Sequence, residues 1–333
     1  MNNKKTDVTA LGELLVDFTL NNTNESDIDS YAANPGGAPC NVLAMLAKLG
    51  KSSCFIGKVG DDMFGRMLEK KARSVGIDVS GLVFSKDYQT TLAFVKSLKN
   101  GDRDFAFYRK NGADAYLTEE EINENLIRES KIFHFGSLSM TNSLCESATK
   151  RAVECAKESG CIISFDPNYR KDLWESEEYA KEKIEWGLKV CDVLKIADNE
   201  ISLITGEDNY EKGGRIIKDK YDIPLVFATL GKKGSIAFFE DESIFVLGFA
   251  NEKTIDCTGA GDTFCACALG KLMDLSDDKW DKSFVFERIN NVVLKNILIF
   301  ANAAASIITT RKGAMCVMPD IKEVEEVLKI ADK

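Results

Sequence analysis

Short apolar runs alternate with helix-length stretches through most of this chain, and glycines punctuate the change. Ala38 to Leu49 has helical spacing and stops at Gly50, Asp62 to Val75 stops at Gly76, and Ser143 to Glu158 is closed by Gly160. Glycine just past a helix is a C-cap signal. Between these stretches stand runs of strand length: Val8 to Phe18, Ser53 to Val59, Lys131 to Leu138, Cys161 to Asp166, Val193 to Ala197 and Leu225 to Thr229. Glu177 to Val190 reads as a further helix. Strands apolar along their whole length, alternating with helices, predict an α/β chain with a mostly parallel sheet covered on both faces.

One region breaks the alternation. Thr90 to Leu98 and Arg103 to Tyr108 are two strand-like runs around Lys99-Asn100-Gly101-Asp102, where Asn-Gly is a hairpin signal. The polar stretch Asn21 to Asn34 could supply a partner strand. Together they predict a small β flap standing off the main sheet. Thr118-Glu-Glu-Glu121 is a capping box that restarts the helical pattern. No linker or repeat divides the 333 residues, so one domain, 1–333, is expected, with its flap from insertions near 18–35 and 88–112.

Composition narrows the function. A net charge of −10 argues against a nucleic-acid surface, which needs a basic stripe, and against adhesion to an anionic membrane. The most apolar stretch, Asn291 to Thr310, is broken by Lys295 and Asn302 and reads as a core helix. Ten cysteines occur without a Cys-x-x-Cys pair, mostly in apolar runs, which suits buried thiols in a reducing, cytoplasmic setting. The single histidine, His134, lies on a predicted strand and reads as structural.

The segment richest in chemistry is Asp256-Cys-Thr-Gly-Ala-Gly-Asp-Thr-Phe264, between an extended run at Ser243 to Ala250 and a helix predicted over Asp262 to Met273. Gly259 and Gly261 allow a sharp turn that brings backbone amides close to a ligand, and a helix N-terminus favours an anion. A phosphate is expected there. Asp262 has two readings that can coexist: an N-cap, or a general base that takes a proton from an attacking hydroxyl. A Walker loop is excluded because no Gly-x-x-x-x-Gly-Lys-Ser/Thr occurs, and a dinucleotide fingerprint is incomplete.

The same segment resembles the C-terminal signature of the ribokinase/PfkB sugar kinases. The N-terminal signature is similar to Pro35-Gly-Gly-Ala-Pro-Cys-Asn-Val42 with Ile56-Gly-Lys-Val-Gly-Asp-Asp-Met-Phe-Gly65. Asp166-Pro-Asn-Tyr-Arg170, Thr229-Leu-Gly-Lys-Lys-Gly234 and Ala301-Asn-Ala-Ala-Ala305 agree, so the likeness covers nearly the whole chain. Gly36-Gly-Ala-Pro-Cys-Asn41, Phe105-Ala-Phe-Tyr-Arg109 and Asp166 to Arg170 look most like fructokinases.

The resemblance implies a three-layer α/β/α sandwich of ribokinase-like type with a small β lid. It implies transfer of the ATP γ-phosphoryl group to a sugar hydroxyl, fructose becoming fructose 6-phosphate, with Asp262 as base and Gly259, Ala260 and Gly261 as the anion cradle. Asp17, Gly36, Gly37, Asn41, Phe107, Arg109 and Arg170 would face the sugar. Asp17 is expected at the end of the first strand, and an arginine on a hairpin, such as Arg109, is more often a solvated edge charge. Lys195, Glu200, Thr229, Gly231, Gly234 and Asn302 would lie on the ATP side. Glu200 would order Mg²⁺ through water, although Ala197 stands where the family's motif has asparagine, and Asp256 resembles a ligand for a monovalent cation such as K⁺. Homodimerisation through the lid is implied as well. The alternatives are the same chemistry on ribose, 2-keto-3-deoxygluconate, a nucleoside or aminoimidazole riboside, and, more distantly, a non-catalytic sugar- or nucleotide-binding protein.

Overall fold

Ile132 and Phe133 are neighbours on one strand, both fully buried, and they belong to different hydrophobic cores. Ile162 and Ile163, Val193 and Leu194, and Leu225 and Val226 divide in the same way. Successive side chains on a strand point to opposite faces, so an uninterrupted apolar run means that both faces are covered.

In chain order the strands are β1 (Thr6–Leu11), β2 (Leu15–Thr23), β3 (Asp29–Gly36), β4 (Ser53–Gly60), β5 (Ile77–Ser85), β6 (Leu92–Ser97), β7 (Arg103–Tyr108), β8 (Ser130–Gly136), β9 (Ile162–Asp166), β10 (Val193–Ala197), β11 (Leu225–Thr229), β12 (Gly234–Phe239) and β13 (Glu242–Leu247). The helices are α1 (Ala38–Lys48), α2 (Met63–Ser74), α3 (Glu124–Arg128), α4 (Ser143–Glu158), α5 (Glu177–Val190), α6 (Asp198–Thr205), α7 (Tyr210–Tyr221), α8 (Ala260–Met273), α9 (Lys282–Glu287), α10 (Asn291–Ile308) and α11 (Ile321–Ala331). This computed structural model describes residues 4–23, 28–97, 103–249, 251–277 and 279–331.

The large sheet has nine strands in the order β13-β12-β11-β10-β9-β8-β1-β4-β5. It is parallel from β11 to β5, and β12 and β13 add an antiparallel edge. One core joins it to α1, α2, α8 and α10, the other to α4, α5, α6 and α7. The expected α/β sandwich with a smaller separate sheet is what the chain forms. α10 is long and apolar enough to cross a membrane by length and composition, but more than half of it is buried, and it packs in the first core as expected.

The second sheet, β3-β2-β6-β7, stands apart. Here the structure corrects the reading of Val8 to Phe18 as one strand. The run is two strands in two sheets, β1 and β2, separated by Gly12-Glu13-Leu14. Val8, Ala10, Leu11, Leu14, Leu15 and Val16 are all buried, so apolar residues flank the passage on both sides and only Gly12-Glu13 marks where the chain changes sheets. Asp17 therefore does not end the first strand; it sits on β2, paired with Asn34 on β3 and Ala93 on β6. The Thr118 capping box forms, but it opens only a 3₁₀ turn at Glu119–Glu121, and α3 begins later at an Asn123 cap. The turn expected at 99–102 lies outside the described residues.

Candidate active site

Parallel strands aim their carboxyl ends at one edge of the sheet, and an α/β ligand crevice lies there, where strand order reverses. In this chain the reversal falls between β1 and β8. Asp166 ends β9, Lys195 lies on β10 and Thr229 ends β11, so three functional side chains reach that edge.

The first turn of α8 faces them. Gly259 precedes the helix at φ +77°, and a Cβ there would lie 2.7 Å from the Ala314 Cβ. The helix begins at Ala260, two residues earlier than expected, with Gly259 as N-cap. Asp262 is thus not the cap but sits inside the first turn, and Asn41 Nδ2 of α1 donates to its Oδ2 at 2.8 Å. Asp262 is buried, and burial pushes its carboxyl up to about 6. The negative charge of Asp166 acts in the same direction, while Asn41, Lys195 and Arg170 oppose it. A carboxylate poised just below neutral pH suits proton removal from an alcohol.

Lys195 sits beneath the same turn. Its ammonium pairs with Asp166 Oδ2 at 3.1 Å, and a Cβ on Gly261 would lie 2.9 Å from Nζ. Glycine at 261 thus lets a cation approach the helix start. Burial pulls the Lys195 ammonium down, but Asp166, Glu200 and Asp262 outweigh it and hold it well above the usual lysine range. Cation and first-turn amides together form a corner suited to an anion.

Glu200 is buried on α6, where Oε2 accepts from Ala197 N at 2.8 Å and Oε1 accepts from Tyr169 N at 2.7 Å. Each oxygen keeps a lone pair with which to accept from a water or to meet a cation. Among the described residues no group of three His, Cys, Asp or Glu side chains could hold a metal unaided. Asp256 joins two loops. Its Oδ1 accepts from Thr258 N at 2.9 Å and Thr258 Oγ1 at 2.7 Å, and its Oδ2 lies 3.4 Å from Gly313 N.

A cleft of about 420 Å³ opens between the two sheets. From the small sheet it takes Asp17, Phe107 and the neighbouring Arg109, and from the large body Asn41, Arg170 and Asp262. Gly37 lines it too, at φ +118°, where a Cβ would lie 2.3 Å from Glu13 O. Gly36 lies behind this wall: a Cβ there would come within 2.1 Å of Asp17 Oδ2. Arg109 is no solvated edge charge. It is buried, with Nε donating to Asp114 at 2.7 Å, Nη1 to Thr141 Oγ1 at 2.6 Å and Nη2 to Leu138 O at 2.9 Å. Arg170 is exposed at the cleft, its Nη1 donating to Tyr169 O.

A second cavity of about 660 Å³ is lined by Gly234, Phe249, Ala260, Phe264, Asn302 and Thr309. It shares Thr229, Gly231, Cys257 and Gly261 with the cleft, so the two spaces meet at the first turn of α8. Asn302 is tied under this cavity: its Oδ1 accepts from Ser235 Oγ at 2.9 Å, and its Nδ2 donates to Val246 O and Leu247 O at 3.3 Å. Lys195, Glu200 and Asp256, read as ATP or cation residues, line the cleft rather than the second cavity.

Sequence reasoning overlooked Asp166, Glu13 and Asn168. Asn168, at φ +45°, holds a left-handed conformation on the cleft wall that only its place in Asp166-Pro-Asn hinted at. His134 is structural, as expected: it is buried, hydrogen-bonds Ser164 Oγ at 2.9 Å and is pushed down to about 4 by burial.

The family model of pfkB carbohydrate kinases matches residues 5–321. Fructokinase-2 of Solanum lycopersicum is 37% identical over 324 residues, 97% of this chain and 96% of the relative. The crystal structure of fructokinase with bound ATP from Xylella fastidiosa matches with a TM-score of 0.89 at 27% identity, covering 99% of this chain and 100% of that one. A double-mutant fructokinase from Vibrio cholerae O395, bound to fructose, ADP and potassium ion, matches at TM-score 0.84 and 29% identity, over 98% of this chain and 100% of that one.

Proposed function

The chain belongs to the pfkB family of carbohydrate kinases, and on that premise we propose that it transfers the γ-phosphoryl group of ATP to fructose, giving fructose 6-phosphate and ADP. The observation that carries this reading is the position of Asp262, buried where the acceptor cleft and the second cavity meet. Fructose occupies the cleft, where Asp17 accepts from its hydroxyls and Asn41 keeps Asp262 turned inward. The nucleotide occupies the second cavity over Gly234 and Asn302, its terminal phosphate at the first turn of α8. Asp262 takes the proton of the attacking hydroxyl. The amides of Gly259 to Gly261, with Lys195 and Arg170, carry the charge of the transferring group.

Mg²⁺, when bound, would supply charge neutralisation for the transferring group, and Glu200, through water, is the residue that would hold it. Asp256 with the carbonyls of 310–313 would hold a monovalent cation beside the anion corner. Ten free thiols, eight of them buried, suit a cytoplasmic protein.

The small sheet is read as a lid that also pairs two copies. Phe94 stacks on Phe18 at 4.9 Å and meets Tyr31 at 5.4 Å and Tyr108 at 5.5 Å, and Tyr108 is 67% exposed. Such an aromatic patch fits burial against a second copy.

An ADP-release assay over a sugar panel, with Mg²⁺ and with or without K⁺, tests the reaction. The expected result is turnover with fructose above that with ribose, 2-keto-3-deoxygluconate, nucleosides and aminoimidazole riboside. A higher kcat/KM for another sugar reassigns the acceptor, and ADP release with none of them overturns the kinase reading.

A further inference from the structure

The two sheets are joined by few chain crossings; two of them meet at one buried carboxylate that the proposed reaction does not use, and the charge of a third acts on it. Glu13 lies in the Gly12-Glu13-Leu14 passage from β1 to β2 and is 5% exposed. Its Oε1 accepts from Ala38 N at 2.8 Å. That amide opens α1 directly after the second crossing, where β3 leaves the small sheet through Gly36 and Gly37. The third crossing is Arg109, which follows β7 and is pinned to Asp114, Thr141 and Leu138 of the large body. Burial raises the Glu13 carboxyl to about 7, with the Ala38 amide and the Arg109 charge opposing and Asp114 reinforcing.

These contacts lead to the reacting groups. An N1 amide has no partner inside its own helix, so the Glu13 bond fixes where α1 starts. One turn further along α1, Asn41 holds Asp262. We propose that Glu13 is a positioning residue: by bonding the first amide of α1 beside Arg109, it sets the small sheet over the acceptor cleft and, through Asn41, the aim of Asp262. This rests on the kinase reading above for its kinetic consequence, though not for its structural one.

The test compares the wild type with Glu13→Ala and Glu13→Gln, using fructose and MgATP kinetics together with amide hydrogen exchange. Glu13→Ala is expected to lower kcat/KM for fructose on the order of 10²-fold, as a misplacement of about 1 Å does, while KM for ATP stays within about twofold. Exchange at Ala38 and in β2 and β3 should quicken. Glu13→Gln keeps an oxygen that can accept from Ala38 N, so it should return to within about threefold of the wild type. The proposal is overturned by Glu13→Ala with unchanged fructose kinetics, or by Glu13→Gln as impaired as Glu13→Ala with both KM values raised. If the wild type phosphorylates no sugar, the kinase reading fails. Exchange needs no turnover, so unchanged protection at Ala38 in Glu13→Ala still sinks the role of Glu13.

Discussion

Asp262 makes the sharpest demands at the scale of single residues. Replacing a general base typically costs about 10²–10⁴-fold in rate, so Asp262→Asn should lose kcat in that range with its melting temperature nearly unchanged. In the proposed reaction the active form is the carboxylate, and burial raises its carboxyl to about 6. Activity should therefore be flat above that pH and fall about tenfold for each unit below it. Asn41 donates to the charged form and holds this value down, so Asn41→Leu should move the acidic limb of the kcat profile to higher pH. A limb that stays in place would remove Asn41 from the tuning of the base. Gly36→Ala would set a methyl against the Asp17 carboxylate, which needs the space at 2.1 Å. The expected outcome is a rise in fructose KM of about tenfold or more with ATP KM unchanged, measured by varying each substrate in turn.

Secondary-structure elements carry a different kind of constraint. The left-handed turn at Gly259 starts α8 and aims its first amides, so Gly259→Ala strains the backbone and meets Ala314 as well. A loss of about 1–2 kcal/mol from the backbone alone is expected in a denaturant titration, together with weaker ATP binding. Much of this layer could be read in the chain. Gly50, Gly76 and Gly160 closed their helices as expected, each with positive φ, and the buried β8, β9, β10 and β11 showed as plain apolar runs. β5 and β12 did not stand out, because β5 is alternately exposed and β12 follows closely on β11. The break between β1 and β2 was marked only by Gly12-Glu13, because a residue buried in one sheet has the same hydropathy as one buried in another. The Asp262 cap was misread because Gly259 begins the helix without a side-chain cap. Lys195 stands out as a candidate, but its pairing with Asp166 joins two strands 29 residues apart, which no local pattern encodes.

At the scale of the molecule, the proposed acceptor site belongs to neither sheet alone. Asp17 comes from one and Asp262 from a helix on the other. Lys195→Met should show how far the large sheet depends on its buried charge pair. It leaves Asp166 without its cation, and breaking such a pair costs about 3–5 kcal/mol, visible as a lower melting temperature alongside lost turnover. Sedimentation should find a dimer for the wild type and a monomer for Tyr108→Glu, whose charge would fall in the exposed aromatic patch of the small sheet.

Cleft and second cavity both border Gly261, so the two lie side by side at the first turn of α8. A bisubstrate compound, a hexose joined to adenosine through a phosphate chain of the right length, would span both at once. Each end would then find its site at the high local concentration that tethering confers, so the conjugate should inhibit far more strongly than its two halves mixed.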